Sequence, residues 1–115
     1  MRYLLPDEIT NAIGRGKSIE QFLGPGSEPN SIKWAELRPN DGVIEVWSFE
    51  VEDVGDSEYI DIYSFPPTDI QPEEPSGVAS TASQAVDLAH TLLAAAPDRW
   101  LNQGVIQTIY AAAKA

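Results

Sequence analysis

The chain contains no cysteine, and its only histidine is His90. Disulfide-stabilised scaffolds, thiolate zinc sites and cysteine nucleophiles are therefore excluded, and no second imidazole is present to complete a histidine metal site. Long apolar runs are also missing. No segment approaches the ~20 apolar residues of a membrane-spanning helix, and residues 1–8 lack the apolar core of a signal peptide. We therefore expect a cytoplasmic protein that does not bind membranes.

Basic residues are scarce as well. The sequence has seven Lys and Arg against eighteen Asp and Glu, which gives a formal net charge of -11. None of the seven lies in residues 39–98, where thirteen of the acids occur. Proteins bind nucleic acids and anionic lipids through clustered Lys and Arg, so neither is an expected partner. The charge instead favours a basic protein as the partner.

The apolar content is sufficient for one hydrophobic core. Hydrophobic residues make up 43% of the 115 residues, and they include three Trp, four Tyr and three Phe. A chain of this length is close to the commonest domain size. We expect a single domain over residues 1–115, in which the acidic, proline-rich segment 66–79 is an extended connector.

The N-terminal part of the sequence predicts two short helices. Residues 6–13 begin with a proline and two acids and are followed by Gly14, a pattern that is typical of a helix start and stop. Ser18 and Gln21 have the spacing of a capping box, which predicts a second helix that ends at Gly24.

Three strands are predicted next, over residues 32–38, 43–52 and 58–65, because these segments are rich in β-branched and aromatic residues. Asp41-Gly42 is a preferred pair for a two-residue type I′ turn. The register that this turn sets matches charge and apolar character, since it pairs Arg38 with Glu45, Lys33 with Glu50, Trp34 with Phe49 and Ile32 with Val51.

A second hairpin is expected to turn near residues 54–57 and to pair Phe49 with Ile62 and Val51 with Ile60. One face of the resulting meander would be buried, and it carries Ile32, Trp34, Trp47, Phe49, Val51, Ile60 and Ile62. The opposite face carries Lys33, Ser48, Glu50, Glu52, Tyr59, Asp61 and Tyr63. A slip by one residue would bury Asp61 against Phe49, so the register is well specified.

The C-terminal part predicts two helices. Thr81 and Gln84 form a capping box before apolar residues at helical spacing, and a last helix is expected over residues 102–113. Three strands cannot cover their own apolar face. The predicted fold is therefore α+β: a three-stranded antiparallel meander over about residues 32–65, two short N-terminal helices, and two C-terminal helices packed on one face.

The polar face of the meander mixes carboxylates with tyrosines. Tyrosine supplies contact area at low entropic cost, and carboxylates attract a basic partner. The predicted partner-binding residues are Glu50, Glu52, Asp53, Asp56, Glu58, Tyr59, Asp61 and Tyr63. We therefore expect a small acidic binding protein, such as an inhibitor that neutralises a basic nuclease toxin. Immunity proteins of bacterial toxin systems are similar in size and charge.

Two other interpretations remain open. The first is a secretion or assembly chaperone, although the lack of predicted strands after Phe65 counts against it. The second is a globular domain whose acids only keep it soluble. Glu50 opposite Asp61 would form a paired-carboxylate site, but an open sheet offers no pocket, so we predict no catalytic activity. We also predict no metal or cofactor site, and a monomer or weak homodimer.

Overall fold

The computed structural model describes residues 2–69 and 72–115. The helices of these residues are α1 (Pro6–Gly14), α2 (Ala82–Leu93) and α3 (Ile106–Lys114), and the strands are β1 (Ile19–Pro25), β2 (Ser31–Asn40), β3 (Val43–Glu52), β4 (Gly77–Ala79) and β5 (Leu101–Asn102). The strands form one antiparallel sheet in the order β4-β3-β2-β1-β5. The α+β class agrees with the prediction, whereas the sheet is larger than the predicted meander.

The hairpin of β2 and β3 has the predicted register. Arg38 lies opposite Glu45, and Trp34 lies opposite Phe49. Asp41 has a φ of 56° and Gly42 a φ of 82°, which is the combination that a type I′ turn requires. The turn and the cross-strand pairs specify the same alignment, and this agreement explains why the sequence sufficed to predict it.

Residues 19–25 form β1, so the predicted second helix is wrong. A helix between Ser18 and Gly24 would have fewer than two turns, and its few hydrogen bonds would not offset the cost of nucleation. As a strand, the segment pairs with both β2 and β5 and buries Ile19 completely. Tertiary pairing therefore overrides the local capping signal.

The predicted third strand and its pairs with β3 are also wrong. Residues 53–69, which we call the covering loop, contain only a 3-10 turn at Ile62–Ser64. Val51 meets Pro67 in an isolated bridge, and Pro67 has no N–H to donate to a longer ladder there. The neighbour of β3 is instead β4, which lies within the segment predicted to be a connector.

Each face of the sheet packs against its own layer. Leu37 and Val46 belong to one apolar cluster with residues of α1 and α2. Trp34 and Val51 belong to a second cluster with the covering loop and with Tyr110 of α3. The prediction that both C-terminal helices cover the Trp34 face is wrong for α2, because the apolar face of Leu37 and Val46 needs its own cover.

The remaining boundaries follow from capping and pairing. The hydroxyl of Thr81 accepts a hydrogen bond from the amide of Gln84 at 3.2 Å, so α2 begins where predicted. The last helix, α3, begins at Ile106 rather than at residue 102, because residues 101–102 pair with β1 as β5. Both edge strands are short: β4 has three residues and β5 has two.

Candidate functional site

The eight predicted partner-binding residues do not share one sheet face. Glu50 and Glu52 lie in β3, and the other six lie in the covering loop. Six residues of this set are exposed: Glu52, Asp56, Glu58, Tyr59, Asp61 and Tyr63. The exposed members still follow one another closely along the chain, so they form an acidic, tyrosine-containing segment rather than a sheet face.

Glu50 is a buried structural carboxylate. It accepts hydrogen bonds from the Ser31 hydroxyl at 2.8 Å, the Glu28 amide at 3.0 Å and the Ser27 hydroxyl at 3.0 Å. Burial raises the pKa of Glu50, but these hydrogen bonds together outweigh burial and hold the pKa below its usual value. The carboxylate therefore anchors the turn between β1 and β2. The predicted Glu50–Asp61 pair is wrong, because Asp61 lies outside the sheet.

Asp53 connects the covering loop to α3. Its carboxylate accepts a hydrogen bond from the Tyr110 hydroxyl at 2.5 Å and pairs with the Lys114 ammonium at 2.6 Å. Asp61 accepts a longer hydrogen bond, 3.3 Å, from the Gln107 side chain. These acids fix the loop over the sheet, whereas Glu52 and Glu58 form no ion pair among the described residues.

A cavity of about 400 Å³ opens on the sheet face that carries Trp34. Its lining includes Glu20, Trp34, Glu36, Arg38, Phe49, Tyr63, Phe65 and Gln103. Alternate residues of a strand point to the same face, and Glu20 of β1 lies directly opposite Glu36 of β2. The strands thus bring two acids together at one wall of the cavity, and its volume is in the range of small-ligand sites.

Glu20 is the least satisfied charged group of this cavity. The residue is 1% exposed, and its Oε1 accepts hydrogen bonds from the Tyr63 hydroxyl at 2.5 Å and the Gly104 amide at 2.9 Å. Its Oε2 is buried and has no hydrogen-bond partner among the described residues. Burial raises the pKa of Glu20 despite the two hydrogen bonds. Unsatisfied buried polar atoms are rare and require an explanation, and perturbed acids are enriched at functional sites.

Glu36, by contrast, is paired. The guanidinium of Arg38 donates two hydrogen bonds to its carboxylate, from Nε at 2.8 Å and from Nη2 at 3.2 Å. The same guanidinium lies 4.7 Å from the centre of the Trp47 ring, which stacks on Phe49. The Arg38 guanidinium therefore compensates the charge of Glu36, and the charge of Glu20 is left without a cationic partner among the described residues.

Aromatic rings form the other wall. The Trp34 ring lies 5.6 Å from the ring of Phe49 and 5.6 Å from that of Tyr63, the latter in an edge-to-face arrangement. Burial raises the pKa of Tyr63, and its hydrogen bond to Glu20 adds to the increase. Tyr63 therefore remains a neutral hydrogen-bond donor at physiological pH. The cavity joins an acidic wall to electron-rich ring faces, a combination that suits an organic cation.

Of the predicted site residues, Glu50 and Tyr63 line this cavity, whereas Glu20, Glu36, Arg38 and Gln103 were not predicted. The error over β1 concealed Glu20. The order Ile19-Glu20-Gln21-Phe22 does not alternate between apolar and polar residues, so its pattern gave no clear strand signal.

A larger cavity of about 810 Å³ adjoins α1 and the residues that follow it. Arg15 and Lys17 line it and are exposed, and Glu8 at its rim pairs with Arg2 at 2.6 Å. Its charged side chains are therefore solvated, unlike Glu20. Solvated charges hold small ligands weakly, so the cavity beside Glu20 is the stronger candidate site.

Neither a metal site, nor a membrane-spanning helix, nor a known relative is found for the described residues. Among residues 2–69 and 72–115, no three His, Cys, Asp or Glu side chains are grouped so that they could hold a metal ion. No helix in this part of the chain combines the length and apolar character needed to cross a membrane. Comparison with protein-family models, with curated proteins and with solved structures finds no match for this chain.

Proposed function

We propose that this chain is a small acidic binding protein that engages and neutralises a basic protein partner, as an inhibitor or immunity-type protein does. The observation that carries the proposal is the unpaired carboxylate of Glu20 beside an open, aromatic-lined cavity. A buried carboxylate without a partner reduces stability, and a cationic group of another protein would remove that cost on binding. The net charge of -11 selects for such a partner.

The exposed acids near the covering loop support the same function. Seven acids between residues 52 and 74 are exposed, namely Glu52, Asp56, Glu58, Asp61, Asp69, Glu73 and Glu74. The ion pairs of the described residues are Arg2–Glu8, Arg38–Glu36 and Lys114–Asp53, and none involves these seven acids. Their field reaches into solvent, where it accelerates association with a basic protein and is weakened by salt.

The test is a pull-down from the native host's lysate, eluted with a salt gradient and analysed by mass spectrometry. A double variant, Glu52→Gln with Glu58→Gln, is compared with a control of equal charge, Asp87→Asn with Asp98→Asn. All four acids are exposed. We expect the unmodified protein and the control to retain one basic protein to high salt, and the Glu52/Glu58 variant to release it earlier.

Two results would contradict the proposal. The first is that no basic protein is retained specifically. The second is that both double variants release the partner at the same lower salt concentration, which would mean that net charge alone, rather than this surface, governs retention.

The chaperone hypothesis is a second candidate, because one argument against it no longer holds. Two strands, β4 and β5, follow residue 65. A secretion chaperone is expected to be a stable dimer with an exposed apolar groove. Sedimentation velocity separates the two candidates: a dimer that persists at low micromolar concentration favours the chaperone, and a monomer favours the inhibitor.

A further inference from the structure

The cavity wall already holds one guanidinium group, which is the protein's own. Arg38 donates two hydrogen bonds to Glu36 and lies 4.7 Å from the centre of the Trp47 ring. A guanidinium is planar and weakly hydrated, so it can bind a carboxylate edge-on while its face contacts an aromatic ring. This arrangement shows which surroundings a guanidinium finds favourable in this protein.

Glu20 and its neighbours repeat these surroundings without a cation. Glu20 lies opposite Glu36 across the strands, and the Trp34 and Tyr63 rings line the same cavity. Arg38 compensates only one of the two carboxylates. The Glu20 side chain is 1% exposed, and its Oε2 has no partner among the described residues. A second carboxylate and a second pair of rings are thus present, and the cation that would complete them is not part of the described chain.

We propose that the cavity binds a second guanidinium group, held by the Glu20 carboxylate and the rings of Trp34 and Tyr63. Tyr63 is 43% exposed and Trp34 is 4% exposed, so Tyr63 is the ring that an incoming group would meet first. An anionic ligand would be repelled by Glu20. A neutral sugar could stack on the rings, but it would leave the buried charge uncompensated.

The source of the guanidinium is an arginine side chain of the basic partner, and only this part of the inference rests on the function proposed above. A cavity of about 400 Å³ has room for the end of an arginine side chain. Arginine is also a preferred residue at the energetic centre of protein interfaces. A free guanidino compound is the other source of the same chemistry, and the experiment below separates the two.

The test is an NMR titration of the full chain with N-acetyl-arginine amide. The Gly104 amide donates a hydrogen bond to Glu20 Oε1 and is therefore one reporter, and the Trp34 indole is the other. We expect saturable shifts of both signals with a Kd of about 1–10 mM, the range for a single side-chain group. The neutral isostere N-acetyl-citrulline amide should bind at least about tenfold more weakly, and N-acetyl-lysine amide more weakly than arginine, because ammonium is more strongly hydrated.

Three variants make the titration specific. Glu20→Gln keeps the shape of the side chain and should weaken binding of the arginine probe at least about tenfold, as expected when one partner of a buried charge pair is lost. Tyr63→Leu removes a partly exposed ring and its hydrogen bond to Glu20, and it should weaken binding severalfold. The control, Asp87→Asn, removes the same charge from an exposed position of α2 and should not change the affinity. Thermal melts verify that each variant is folded.

The outcomes separate this inference from the proposed function. Equal binding of arginine and citrulline probes, or unchanged arginine binding to Glu20→Gln, overturns the inference even if the pull-down finds a basic partner. Glu20-dependent arginine binding without any retained basic protein supports the guanidinium site, contradicts the proposed function and favours a free guanidino compound as the source of the cation.

Discussion

Replacing Glu50 by glutamine should destabilise the protein by about 2–3 kcal/mol, although Glu50 belongs to the surface that the sequence assigns to partner binding. Glu50 is 8% exposed, and its carboxylate accepts hydrogen bonds from Ser27, Glu28 and Ser31. Hydrogen bonds to a charged acceptor are roughly twice as strong as neutral ones. Glutamine keeps one acceptor oxygen and presents an NH2 group to a site built from donors, so the loss is less than the sum of the bonds.

The assay is urea denaturation at pH 7, with Asp61→Asn as the control. Asp61 is exposed and accepts one long hydrogen bond, so its neutralisation should change the free energy of unfolding by less than about 0.5 kcal/mol. The Glu50→Gln variant should unfold at a urea concentration about 1–2 M lower than the unmodified protein. A loss below about 0.5 kcal/mol for Glu50→Gln would refute the assignment of a structural role.

The pH dependence gives an independent check on the same variant. The folded-state pKa of Glu50 is lowered, so the unfolded state takes up the proton first as the pH falls. The stabilisation is therefore complete above the unfolded pKa of about 4.3 and is lost as the pH falls through the folded pKa. The difference between the unmodified protein and Glu50→Gln should shrink below pH 4.

Three further variants, with Gly14→Ala as a control, test other parts of the structure by denaturation. Glu20→Gln should raise the free energy of unfolding at pH 7 by about 1–3 kcal/mol. Because the folded-state pKa of Glu20 is raised, this gain should vanish as the pH falls below the pKa of the unfolded state. A loss of stability at pH 7 would contradict a buried carboxylate without a cationic partner. Gly26→Ala should lower the free energy of unfolding by about 2–3 kcal/mol, because the added Cβ would clash with the Glu50 carboxylate. The control, Gly14→Ala, has open space around its Cβ and should change stability by less than about 1 kcal/mol. Tyr110→Phe should cost about 1–3 kcal/mol through the lost hydrogen bond to a carboxylate, and an unchanged urea midpoint would refute that role.

The parts of the fold that could be predicted from the sequence are those in which local chemistry and pairing agree. Asp41-Gly42 fixes a turn, and charge pairing across the strands supports the same register as apolar pairing. Thr81 caps α2 by a hydrogen bond that is local in sequence. Such features need no knowledge of distant contacts, and short-range physics therefore suffices to locate them.

The rest depends on contacts that are distant in sequence. β1 became a strand because β2 and β5 both pair with it, and β5 lies about eighty residues further along the chain. β4 pairs with residues 44–46 of β3, whereas the covering loop meets β3 in an isolated bridge between Val51 and Pro67. The candidate site was the part that could least be predicted from the sequence. Its acidic wall brings Glu20 of β1 next to Glu36 of β2, and the segment that forms β1 was predicted to be a helix.

The short edge strands β4 and β5 restrict how a partner of the proposed kind would dock and how that docking would evolve. With three residues in β4 and two in β5, neither of these strands offers the long row of backbone N–H and C=O groups that an added strand would need. Recognition at β4 and β5 would then depend on side chains. Side-chain recognition can be altered one substitution at a time on an unchanged backbone, so a family built on this scaffold could change partners without changing its fold.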